Sequence, residues 1–323
     1  MRSSVVCTAA LGLLVLAGGC SKRPTAPPIA APTRFLVFSS DRGRLAGSFR
    51  NFVGTFEGAT EQENPRGGLA RVIDRHPSLT QDARFLAFTS RDSATADWNV
   101  YIYDRSANSV SNDASVNSAL DEVDPCISLD GSMLAFVRDS AGTQHIRLYD
   151  LAARKFVPLP GLEAPGSSDW EPSLDQAGHR IAFTTNRNGS TDVMIYQVAT
   201  HTLITSALLA DPAAGDQQPG ISGDGRFVAF SSNRAGGVGG FDLYVFDLNN
   251  LLLVNLPANT NSIDDEVDPS MSVDGSNLVF VSNRAGGSGG WDLWNLDRVG
   301  AVLKQVNGLS STADDLEPAL VWP

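Results

Sequence analysis

The 323 residues carry 24 Lys and Arg against 36 Asp and Glu, a formal charge of −12, and such a surface repels polyanions, which excludes nucleic acid as a partner class. A hydrophobic content of 42% is too high for wholesale disorder. No apolar run reaches the ~20 residues of a membrane-spanning helix, so the composition reads as an acidic, glycine-rich globular chain.

In chain order, Arg2 and the apolar run Val5 to Ala17 have the form of a signal peptide, residues 1–19. It ends in Leu-Ala-Gly-Gly-Cys, Leu16 to Cys20, which resembles the lipobox of bacterial lipoproteins. The departure is Ala17, three places before the Cys, where the strict pattern has Leu and this chain has it one place earlier. The resemblance implies lipidation of Cys20, and several acyl chains there would anchor the protein to a bilayer. Ser21, rather than Asp, then implies sorting to the outer membrane, facing the periplasm. Residues 20–33 are small and Pro-rich, an extended tether. Cys7 leaves with the signal and Cys20 takes lipid, so Cys126 has no partner for an internal disulfide.

Residues 34–323 form one repeat. Aligned on a proline, the units are HPSLTQDARFLAFTS at Pro77, DPCISLDGSMLAFVR at Pro125, EPSLDQAGHRIAFTT at Pro172, QPGISGDGRFVAFSS at Pro219 and DPSMSVDGSNLVFVS at Pro269. The spacings are 48, 47, 47 and 50 residues. RFLVFSSDRG at Arg34 supplies only the second half of a unit, and EPALVWP at Pro318 only the first half.

Each unit reads as four short strands. The first surrounds the Pro and alternates small residues (Ser78, Cys126, Ser173, Gly220, Ser270, Ala319) with apolar ones, the period of a strand. An Asp-Gly type turn follows. Next comes an apolar second strand such as FVAF, suited to burial on both faces, then a third such as LYVFD and a weaker fourth. Units of this length and content stack radially as propeller blades. Counting the two halves as one, the spacing predicts an all-β, six-bladed propeller closed by pairing the C-terminal strand with blade one, which leaves no open edge.

The units resemble the WD-like repeats of the TolB-type propeller family, most closely at SNRAGGVGGFDLYVFDL from Ser232 and SNRAGGSGGWDLWNLD from Ser282. That family carries an α/β domain ahead of its propeller, whereas here the tether stands in that place. The resemblance implies protein–protein contact, with envelope proteins, including peptidoglycan-associated ones, as partners.

Two polar series recur. Arg42, Arg91, Arg138, Arg187, Arg234 and Arg284 end the second strands, and Asp97, Asp192, Asp242 and Asp292 open the third, which predicts an Arg–Asp pair clasping each hairpin. Three places before the Pro stand Asp74, Glu122, Asp169, Asp216, Glu266 and Asp315, and one place before it His76, Asp124, Glu171, Gln218, Asp268 and Glu317. Residues two apart on a strand share a face, so both groups are expected in a ring at one mouth of the central channel. Such a ring suits a Ca²⁺ ion or a basic partner segment, or it serves structure alone.

Blade one lacks the third-strand motif and carries Phe49, Phe52 and Phe56 instead, read either as divergence of a terminal blade or as a partner-binding loop. Catalytic patterns are thin. Gly-x-Ser-x-Gly at Gly286 to Gly290 lies in a hairpin loop without a strand-to-helix elbow. The expected function is a non-catalytic, envelope-anchored binding scaffold; the alternative is a propeller hydrolase or lyase using channel carboxylates such as Asp124, Glu171, Asp268 and Glu317 with a divalent cation.

Overall fold

The structure, a computed structural model, describes residues 34–42, 49–56, 62–63, 72–92, 97–306 and 308–322. The signal peptide, Cys20 and the tether therefore lie outside the described residues. The rest forms six four-stranded antiparallel sheets, one per blade, in the arrangement of a six-bladed propeller. Five inner strands follow one another as Val72–Leu79, Asp121–Ile127, Asp169–Leu174, Asp216–Ile221 and Glu266–Met271. The sixth, Asp315–Val321, pairs antiparallel with Phe35–Ser40, so the end of the chain completes blade one.

The second strands are the most deeply buried, because side chains on both of their faces meet an adjacent blade. Leu86, Ala87 and Phe88 are fully buried, as are Val228, Ala229 and Phe230. The core is accordingly divided into six clusters, one at each junction between neighbouring blades. The junction that joins the chain's two ends holds Leu36 and Phe38 against Val279, Leu293 and Leu320. No polar cap is required at either end of the chain, since the ring has no terminal blade face.

Each inner strand is interrupted at the same place. The register slips between Arg75 and Ser78, between Val123 and Cys126, and at the matching pairs in blades four to six. Two residues of the inner strand oppose one of the second, a β-bulge. The second of the two is the repeat's proline, which has no N–H to give to a ladder. The first is left-handed in all six blades, with φ of 49° to 55° at His76, Asp124, Glu171, Gln218, Asp268 and Glu317.

Blade one is more regular than its sequence. Arg50–Thr55 is a full third strand paired along the whole of Phe35–Ser40, with Gln62–Glu63 outside it. Phe49 and Phe52 are 7% and 8% exposed, and the Phe56 ring packs on Trp322 at 5.3 Å. Phe49 and Phe52 belong to the interior and Phe56 is half-buried against Trp322, while residues 57–61 and 64–71 of the same segment, on which the reading as a partner-binding loop also falls, lie outside the described residues.

Candidate functional site

The two acidic series part company at the bulge. Asp74, Glu122, Asp169, Asp216, Glu266 and Asp315 are completely buried. Each is ion-paired to an arginine at 2.6 to 2.8 Å: Arg50–Asp74, Arg138–Glu122, Arg187–Asp169, Arg234–Asp216, Arg284–Glu266 and Arg42–Asp315. They do not join the channel ring. On a regular strand they would share a face with the residues two places on, but the left-handed step at the second position turns its side chain elsewhere.

The arginines also differ from expectation. Each fork reaches back to the acid of the inner strand and onward to a loop carbonyl, as Arg138 Nη2 does to Val116 O at 2.7 Å and Arg187 Nη2 to Leu162 O at 2.6 Å. Asp192, Asp242 and Asp292, which open third strands, hold their own hairpin loops instead. Asp242 accepts the Val238 N–H at 2.7 Å, and Asp292 accepts those of Ser288 and Gly289 at 2.7 and 3.0 Å. The difference is one of reach: the third-strand carboxylate lies beneath a loop rich in free amides, and the arginine extends the other way. Blade two is the exception, where Arg50 of blade one holds Asp74 and Arg91 lies over Trp98 at 5.2 Å.

The second series does line the channel mouth, a cavity of about 370 Å³ walled by His76, Asp124, Glu171, Gln218, Asp268 and Glu317, with Arg75 beside them. Much of its polar capacity is used between blades. Glu171 accepts the Gln218 N–H at 2.9 Å, Gln218 accepts that of Asp268 at 3.4 Å, Asp268 that of Glu317, and Glu317 that of His76 at 2.8 Å. Four successive side chains thus hook the backbone of the next blade. A second belt runs just below. Ile127 N–H donates to Ser78 Oγ at 3.1 Å, Leu174 to Cys126 Sγ at 3.3 Å, Ile221 to Ser173 Oγ at 3.1 Å and Leu320 to Ser270 Oγ at 2.9 Å. Gly220 breaks this belt because Pro269 O would stand 2.2 Å from a Cβ there.

Charge around the mouth is uneven. On one side His76 lies 3.1 Å from both Asp124 and Glu317, and Arg75 is ion-paired to Glu317. Burial alone would lower the His76 pKa, but the pull of Glu317 and Asp124 outweighs it and raises it to about 9. Burial likewise opposes ionisation of Glu317, yet His76 and Arg75 hold that carboxyl well below the usual range. On the other side the bases act only on Asp268, where the pull of His76 and Arg75 does not overcome burial. Burial and the neighbouring charges of Asp124 and Asp268 push Glu171 up to about 7, against hydrogen bonds from Thr184 and Gln218. Burial and Glu317 push Asp268 up to about 6.

Among the described residues, no group of three or more His, Cys, Asp or Glu is placed to share a metal ion. The Gly-x-Ser-x-Gly serine, Ser288, meets the Gln305 amide at 2.9 Å. The sequence reading missed the two belts and the left-handed ring; their signals were the invariably polar residue before each Pro and the run of Ser and Cys after it.

No protein-family model and no curated protein sequence matches the chain. Solved structures do. TolB from Acinetobacter baumannii is similar with a TM-score of 0.66 at 19% identity, over 90% of this chain and 67% of that one. A TolB from Agrobacterium tumefaciens gives 0.55 at 15% identity, over 85% and 88%. A puromycin-hydrolyzing peptidase from Mycobacterium tuberculosis gives 0.53 at 12% identity, and the match spans 84% of this chain but only 44% of the peptidase. At such identities the likeness is one of fold, and in fold the chain is a TolB-like six-bladed β-propeller.

Proposed function

We propose that the chain is an envelope lipoprotein, anchored through Cys20, whose propeller is a non-catalytic scaffold that receives a basic segment of an envelope protein at the channel mouth. The observation that carries this reading is the incompletely compensated side of the ring. Glu171 and Asp268 face the same cavity as Asp124, and burial first, then neighbouring carboxylates, keeps both pKa values raised even though His76 and Arg75 pull on Asp268. A Lys or Arg side chain entering there would let both carboxyls ionise, and its binding would release protons. The signal-like N-terminus and the likeness to TolB in fold support an envelope location.

The rival reading is a hydrolase or lyase in the channel. A carboxyl titrating near 7, as at Glu171, is what general acid–base chemistry needs. Against it, the ring residues repeat from blade to blade and serve as inter-blade clasps. Crosslinking of the native lipoprotein followed by mass spectrometry separates the two. Capture of one envelope protein through residues of the mouth, lost in the Glu171→Gln/Asp268→Asn double variant, supports the scaffold. Turnover of a glycan or lactone panel, with no captured partner, supports the enzyme. Cys20→Ser is expected to release the protein from membranes, and continued membrane fractionation would remove the anchor from the proposal.

A further inference from the structure

The described chain begins at the face opposite the mouth. Phe35 stands beside Val321 and Ser40 beside Asp315, and the mouth residue Glu317 lies toward the Asp315 end of that strand. Arg34 therefore sits at the far face, its guanidinium 4.2 Å over the Trp322 ring, on which Phe56 also packs. Backbone bonds between successive turns stitch this face together: Asp130 N–H donates to Gln176 O at 3.0 Å, Gln176 to Gly223 O at 2.9 Å and Asp224 to Val273 O at 2.8 Å. The Gln176 carboxamide donates to that of Gln81 at 3.2 Å, so the far face is a firm platform.

The two faces differ in chemistry. Turns at the far face carry Arg84, Arg105, Arg180, Arg226 and Arg298, roughly balanced by aspartates such as Asp82 and Asp224. Several of these arginines lie on aromatic rings, Arg84 on Phe85 at 4.6 Å, and Arg226 and Arg298 on Phe227 at 4.5 and 4.6 Å. At the far-face corners of blades five and six, Leu251, Leu252, Val299 and Val302 are 41% to 84% exposed. Arginine, aromatic rings and exposed aliphatic side chains together suit the headgroup layer of a bilayer. The mouth face holds most of the acidic excess of the described residues, with Val238 and Ile263 as its exposed aliphatic side chains.

We propose that the far face is a bilayer-contact surface: the anchored propeller lies with Leu251, Leu252, Val299 and Val302 in the headgroup layer and its acidic mouth turned away from the membrane. This rests on the anchor at Cys20 and adds which side of the molecule meets the lipid. Residues 20–33, extended at ~3.1 Å each, reach about 43 Å. With the mouth down they would spend about 23 Å of that on the height of the seven-residue closing strand alone. The mouth would also face lipid phosphates of its own sign. With the far face down, the tether starts at the surface it has to reach, and the mouth stays open to a basic segment arriving from the other side.

The test is hydroxyl-radical footprinting read by mass spectrometry, comparing the lipidated chain in phosphatidylethanolamine–phosphatidylglycerol vesicles with soluble Cys20→Ser protein. Oxidation of Leu251, Leu252 and Val299 should fall at least about threefold on vesicles, while that of Val238 and Ile263 stays the same. Leu252→Asp/Val299→Asp should remain membrane-bound through its anchor and lose the protection of Leu251 and Val302. Protection of Ile263 instead, or equal oxidation of both faces, would overturn the proposal. So would protection of Leu251 and Val299 that appears without vesicles and rises with protein concentration, since a second copy would then cover them. The same comparison on the chain from Cys20 onward, coupled through that thiol to a maleimide lipid in a Cys126→Ser background, reads the face independently of natural lipidation. A chain found without acyl groups in the cell thus removes the anchor alone, whereas the footprint decides the face.

Discussion

Two sets of carboxylates sit two residues apart in the same six strands and behave oppositely. Asp216 and its equivalents are sealed among the blades, each held by an arginine. Glu171 and its equivalents open onto the channel, and burial and neighbouring carboxylates keep Glu171 and Asp268 hard to ionise. The divider is a single left-handed residue followed by proline, repeated six times. Charge identity therefore says little about role in this fold; the backbone step beneath the charge decides whether it is mortar or surface.

The comparison can be broken at several strengths. The largest effect is expected from deleting residues 313–323, which removes one member of each series together with the strand that completes blade one. The loss should exceed about 5 kcal/mol, the lower end of a domain's whole stability, and an unchanged urea midpoint would contradict closure by that strand. Asp216→Ala comes next. It strands the Arg234 guanidinium, whose side chain is only 10% exposed, and should cost about 3–5 kcal/mol. Chemical denaturation reads it directly, and a cost below about 1 kcal/mol would place this series with ordinary surface charges.

In the other series the sign reverses. Folded Glu171 holds its proton up to about pH 7, whereas an unfolded Glu titrates near about 4.3. Between these values the native state binds more protons, so stability falls as pH rises. Glu171→Gln keeps an acceptor for the Gln218 N–H and removes that slope. At pH 8 it should stabilise by roughly 1–3 kcal/mol. His76 acts over a higher window. Its pKa is raised to about 9, so its contribution is complete below about 6.5 and is lost as pH rises through 9. His76→Asn should flatten the melting profile between pH 7 and 9 and leave the lower half unchanged. The smallest effect is expected from Cys126→Ser. Oγ can accept the Leu174 N–H as serines do in the neighbouring blades, so the change should stay within about 1 kcal/mol.

The period made the propeller, its blade number and its closure legible, because a repeating apolar pattern that starts and stops mid-unit has few ways to bury its edges. The site was legible only in part. A strict two-residue alternation put Asp216 beside Gln218, and nothing in the alternation signals a left-handed step except the proline that follows it. The arginine partners were misread for a related reason: Asp242 is nearer to Arg234 in sequence, but the fork reaches across the sheet to Asp216. In blade one the third strand was hidden because Arg50–Thr55 keeps the pairing and drops the motif.

The six left-handed positions carry a further implication for how such a ring can change. Main-chain geometry and the succeeding proline supply the step, and Asp, Glu, Gln and His all stand on it here. A newcomer at any one of these places has to satisfy little beyond the amide of the adjoining wedge, and none of the packed interior. The rim can therefore be rewritten letter by letter, so kindred toroids with the same skeleton are free to greet quite different visitors.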